Sequence, residues 1–134
     1  VTTRLHKSYK PALMIILARA LDKFGDHIEI RVVERDFKEL YERRYREGQV
    51  VERPNSLIYN YFHSPQLTPP DVFKKILRTS VLPAFVNAGV VAIDEDVLIL
   101  SEEFSREVLA QRDHIVRYCE KQLDNYFDGI RGGS

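Results

Sequence analysis

Residues 90–100 read Val90-Val-Ala-Ile-Asp-Glu-Asp-Val-Leu-Ile-Leu100, and the fold is decided by how this stretch is taken. Two arms rich in β-branched residues flank an acidic turn, the pattern of a β-hairpin. Upstream, Thr68 is placed to cap a helix that starts on the Pro69-Pro70 pair. Its core face is Val72, Phe73, Ile76 and Leu77, and its outer face is Lys74, Lys75 and Arg78. Pro83 stops or kinks that helix, and one further turn, Ala84 to Asn87, runs to Gly89. Downstream, Ser101 with Glu102 and Glu103 opens a last helix. Its apolar stripe is Phe104, Val108, Ile115, Cys119, Leu123 and Tyr126 or Phe127, and the helix is expected to end near Gly129.

The chain opens with an equally clear element. Ser8 is positioned to cap a helix with Pro11 in its first turn, where the missing N–H costs nothing. Leu13, Ile16, Leu17, Ala20, Leu21 and Phe24 recur at helical spacing, Met14 and Ile15 widen the stripe, and Gly25 closes it. A helix this apolar must be wrapped by the others. His27-Ile-Glu-Ile-Arg-Val-Val33 alternates and reads as a short strand. Asp36 then caps a second helix from Phe37 to about Glu47, with Lys38, Arg43, Arg44 and Arg46 on its basic side and Gly48 ending it. Residues 49–70 hold four prolines yet also Leu57, Ile58, Tyr59, Tyr61 and Phe62, so an ordered loop packed back on the domain is expected.

At 134 residues, with 44% hydrophobic and 30% charged content, the chain is long enough for one domain with a proper core. Residues 1–130 are expected to form that single domain, and 131–134 a linker or scar. The single cysteine, Cys119, cannot form an internal disulfide, and on the core stripe an inert buried thiol is its default. No run approaches the roughly 18 apolar residues of a membrane span, and no signal peptide is visible. A cytoplasmic protein without membrane attachment is the expectation.

The net charge of zero hides an asymmetry. Residues 1–89 carry 15 Lys/Arg against 10 Asp/Glu, and residues 90–134 carry 5 against 10. Such a split points to one surface that meets an anionic partner. Metal and catalytic templates fail on spacing: His6, His27, His63 and His114 fall in different elements, and no phosphate-binding loop, His-Glu-x-x-His or Gly-x-Ser-x-Gly occurs. Asp94, Glu95 and Asp96 are clustered as in Mg²⁺-dependent nucleases, but they occupy a hairpin turn, where Asp serves its own backbone. No metal, no cofactor and no enzymatic activity are therefore expected.

The basic groups carry the stronger signal. Arg4, His6, Lys7 and Lys10 crowd the mouth of the first helix, whose free N–H groups favour a phosphate oxygen, with Ser8 at its start and Tyr9 adding a hydroxyl or a stacking face. Lys74, Lys75 and Arg78 suit phosphate contacts or guanine readout. Arg53, Asn55 and Ser56 suit a loop held against a groove, and Arg43 adds a cation from the second helix. Ordinary solvated faces, a good cap and self-satisfied turn residues account for the same side chains.

The order helix, strand, helix, helix, hairpin, helix resembles that of winged-helix domains over residues 8–100, the 49–70 stretch departing from their tight turn. Lys7-Ser-Tyr-Lys-Pro-Ala-Leu-Met-Ile-Ile-Leu, with Arg53-Pro-Asn-Ser-Leu and Leu82-Pro-Ala-Phe, resembles DNA-recognition modules attached to bacterial restriction endonucleases and antiviral defence helicases. The resemblance implies a prokaryotic, winged-helix-like, mainly α domain with a small hairpin (α+β) that binds double-stranded DNA, plain or modified, as the non-catalytic specificity part of a larger restriction-modification system. A homodimer or a fused effector domain would accompany it. The alternative is a protein–protein interaction or oligomerisation domain using the acidic last helix and Tyr59, Tyr61 and Phe62 as an exposed surface. The triply acidic hairpin tip would be repelled by phosphates and is expected to stay clear of DNA.

Overall fold

The computed structural model describes residues 8–49, 52–53 and 56–133. The fold is mainly helical with a small antiparallel sheet. Its helices are α1 (Tyr9–Phe24), α2 (Ile30–Arg46), α3 (Leu57–His63), α4 (Val72–Ile76), α5 (Leu82–Asn87) and α6 (Glu102–Gly133). Its strands are β1 (His27–Glu29), β2 (Val91–Asp94) and β3 (Val97–Leu100). The apolar stripe of α1 is wrapped as its composition requires: Leu13, Leu17 and Ala18 have no exposed surface, and α2 and α6 flank the helix. Among the described residues, no helix is long and apolar enough to cross a membrane.

The hairpin forms where expected, with Asp94 paired to Val97 across a turn made of Glu95 and Asp96. Glu95 takes a φ of 56°, a conformation that costs a non-glycine residue energy. Strand order is β1-β3-β2, with Ile28 opposite Leu98 and Val91 opposite Leu100. These four are buried, so one face of the sheet closes the core at the far end of α1. The strand expected over 27–33 is only three residues long. The Ile30 N–H bonds the Asp96 carbonyl at 2.8 Å, the ladder ends there, and Ile30, Val33, Phe37, Leu40 and Tyr41 continue as the buried stripe of α2. Helical spacing from Ile30 outweighs the local alternation, and Asp36 lies inside the helix rather than capping it.

Three further expectations give way. The 49–70 stretch is not simply a loop: Ser56 caps α3 by accepting the Tyr59 N–H at 3.1 Å, and a 3₁₀ turn follows at Pro65–Leu67. Thr68 does not cap the next helix; its hydroxyl donates to the Ser64 carbonyl at 3.0 Å, and α4 starts at Val72. Pro83 neither stops nor splits the helix outright. A π-helical stretch, Leu77–Val81, joins α4 to α5. The widened turn spares the proline ring the carbonyl it would meet in a regular helix, where no N–H is available to bond it. At the last helix the cap is as expected, with the Phe104 N–H on Ser101 Oγ at 3.1 Å. The helix runs past Gly129 to Gly133 and bends at Gln111 (φ −133°, ψ 30°). The bend falls where the apolar stripe skips a turn between Val108 and Ile115.

Candidate nucleic-acid interface

Ser8 lies immediately before α1, yet its side chain makes no capping bond. It is fully buried and faces away from the helix, towards residues far along the chain. Its Oγ donates to Glu52 Oε2 at 2.6 Å and lies 2.5 Å from Tyr41 Oη. A serine has one hydroxyl proton, so with that proton on Glu52 the tyrosine must donate to the serine. Glu52 Oε1 accepts the Tyr126 hydroxyl and the Arg53 backbone N–H, both at 3.0 Å. Glu52 is 1% exposed, and among the described residues its carboxylate has no cationic side chain bonded to it. Among the described residues, hydroxyls and one amide supply the compensation that a buried carboxylate requires.

This cluster sets the chemistry of its neighbours. Burial, followed by the Glu52 carboxylate, raises the pKa of Tyr9, Tyr41 and Tyr126 above the usual phenol value. All three keep their protons, and Tyr126 donates its own to Glu52 while Tyr41 donates to Ser8. With no exposed surface, the Ser8 hydroxyl is committed to this cluster. The cluster instead ties four segments together: the start of α1, the middle of α2, the 52–53 stretch and the far part of α6. The opening motif and the Arg53 motif, separate in sequence, thus meet through Ser8 and Glu52.

Arg53 is the exposed member of this group. Its guanidinium carbon lies 5.9 Å from the centre of the Tyr126 ring, in cation–π range. Lys10 is exposed two residues after Ser8, and Tyr9 packs edge-on against Phe37, centroids 6.3 Å apart. Ser56 is committed to capping α3, and Arg43 projects from α2. Lys74 and Lys75 are exposed on α4. Among the described residues, no carboxylate forms an ion pair with Lys10, Arg43, Arg53, Lys74 or Lys75. Arg78 differs. It bonds the Glu34 carboxylate on α2 and lies 3.9 Å from Asp96 at the hairpin tip. Lys7 and Asn55 lie outside the described residues.

The aromatic surface is not as open as the sequence suggests. Tyr61 and Phe62 are half-buried and pack on Phe73, Phe62 also stacks on Tyr45 with centroids 4.5 Å apart, and Tyr59 stacks on His63 at 4.1 Å. The large apolar side chains left exposed are elsewhere, among them Leu57, Leu67, Leu109 and Tyr118. Cys119 is 4% exposed, and burial raises its thiol pKa. Among the described residues, no group of three or more His, Cys, Asp or Glu side chains is arranged to hold a metal ion.

Sequence reasoning missed Glu52, Tyr41 and Tyr126. Glu52 sits beside an arginine and a proline in an irregular stretch, where a solvated acid is the ordinary expectation. Its partners lie 44 and 74 residues away, so no local spacing marks it. No protein-family model, no curated protein and no solved structure matches the chain.

Proposed function

We propose that this chain is a non-catalytic, winged-helix-like module that binds double-stranded DNA. The observation that carries the reading is topological. The strand order β1-β3-β2 sets a hairpin directly after the α4–α5 segment, and that segment exposes Lys74 and Lys75 without acidic partners among the described residues. A helix bearing unpaired lysines beside a two-stranded wing is the arrangement that enters a major groove while flanking cations hold the backbone. Lys10, Arg43 and Arg53 serve as the flanking cations. Ser8 acts from inside the protein, by holding Glu52. With Asp94 and Glu95 exposed at its tip, the hairpin points away from phosphate, and Arg78 faces the acids Glu34 and Asp96. Membership of a restriction or defence nuclease or helicase system rests on the resemblance of the opening, Arg53 and Leu82 motifs.

The test is fluorescence anisotropy of a labelled duplex over a salt series. Affinity should fall steeply with salt, and K74A/K75A should reduce the log–log slope by about 2, roughly 0.9 for each lost phosphate contact. A phosphorothioate duplex run in parallel reports whether the modification is read. An absence of binding at low salt, together with a stable dimer by light scattering, would favour an interaction domain. The exposed Leu109 and Tyr118 on α6 are the surface that such a dimer would cover.

A further inference from the structure

The Glu52 cluster has a shape that core packing does not require. Volume could be filled there by an apolar side chain, as in the aromatic cluster of Phe37, Phe73 and Tyr61 nearby. Instead the position holds a carboxylate, 1% exposed, that bonds one hydroxyl on each of two elements and the backbone N–H of the next residue. That next residue is Arg53, which is exposed. The same oxygen, Oε1, receives both the Arg53 N–H and the hydroxyl of Tyr126, whose ring lies under the Arg53 guanidinium. One atom thus fixes where the arginine backbone leaves the protein and where the ring supporting its side chain stands. We propose that Glu52 is a positioning residue for nucleic-acid binding: it presents Arg53 as a fixed phosphate contact, with Tyr126 of α6 as the platform. This rests on the DNA-binding reading above. It adds two residues to the interface, one buried and one on the helix with the excess of acid.

The experiment is a double-mutant cycle on duplex affinity with wild type, E52L, R53A and E52L/R53A, leucine removing both acceptor oxygens, with Y126F as a milder variant that keeps the ring and removes the hydroxyl. R53A should weaken binding about eightfold at 0.1 M salt relative to its effect extrapolated to 1 M, and lower the salt slope by about 0.9, the signature of one phosphate contact. E52L should reproduce most of that loss of slope, and the double variant should be no worse than R53A alone. Y126F should fall between wild type and E52L. Should E52L fail to fold, Y126F, R53A and Y126F/R53A complete the cycle. An unchanged slope in folded E52L or Y126F, or additive losses, overturns the proposal and leaves Glu52 a structural residue. Loss of binding in K74A/K75A with R53A unaffected also overturns it, while the DNA-binding reading stands. If the wild type binds no duplex at low salt, both fall.

Discussion

Two acid clusters in this protein use similar residues in opposite ways. At the hairpin tip, Arg78 joins Glu34 and Asp96, and the side chains are 39%, 16% and 88% exposed. At the start of α1, Glu52 is buried among hydroxyls, and among the described residues no guanidinium or ammonium is bonded to it. The first cluster sets one cation between two acids, but solvent screens it and the side chains lose freedom to form it. The second has, among the described residues, no cation bonded to its carboxylate, and the Ser8, Arg53 and Tyr126 donors all end on that one group. The lesson is that burial, and not pairing, decides which cluster the fold cannot lose.

The sharpest way to break the contrast is to remove the two acids' clusters one at a time. E52A should cost about 3 kcal/mol in chemical denaturation, since it leaves a cavity and strands the Ser8, Tyr126 and Arg53 donors without water. Next in size is the response to alkali. The tyrosines around Glu52 have raised values when folded, so above about pH 10 the unfolded chain releases phenolic protons that the native state keeps. The native state then binds more protons, and stability falls as pH rises. The fully buried Tyr41 alone should remove about 1.4 kcal/mol in total between pH 9 and 11, read from urea midpoints, with the slope steepening through that window. Y41F should flatten that part of the profile. Smallest is R78A, expected to cost about 0.5 kcal/mol and to shrink further in high salt. A loss from R78A as large as that from E52A would undo the comparison.

The same contrast explains how much was legible in the sequence. The stripe of α1, the hairpin and the Ser101 cap are local patterns, and each is found where the spacing puts it. The start of α2 at Ile30 was legible too, through Ile30, Val33, Phe37 and Tyr41, but the alternation of 27–33 competes with it and only the length of β3 decides between them. Ser56 followed by six largely apolar residues was a cap signal hidden among prolines. The exposure of Lys10, Lys74 and Lys75 follows from helical periodicity, whereas the attachment of Arg78 to Glu34 and Asp96 depends on how three elements dock. Ser8 was read for its nearest N–H groups, and its hydroxyl was taken instead by a carboxylate 44 residues away.

The π-helical stretch between α4 and α5 has a consequence for anyone who redesigns this segment. One residue more than a regular turn holds is threaded between Leu77 and Val81, which rotates everything after it by about 100° about the axis. Lys74 and Phe85 therefore belong to two different angular frames on one rod. Deleting a single residue there would leave the lysines where they are, drive the Pro83 ring into the carbonyl beneath it, and swing Phe85 from the interior to the outside.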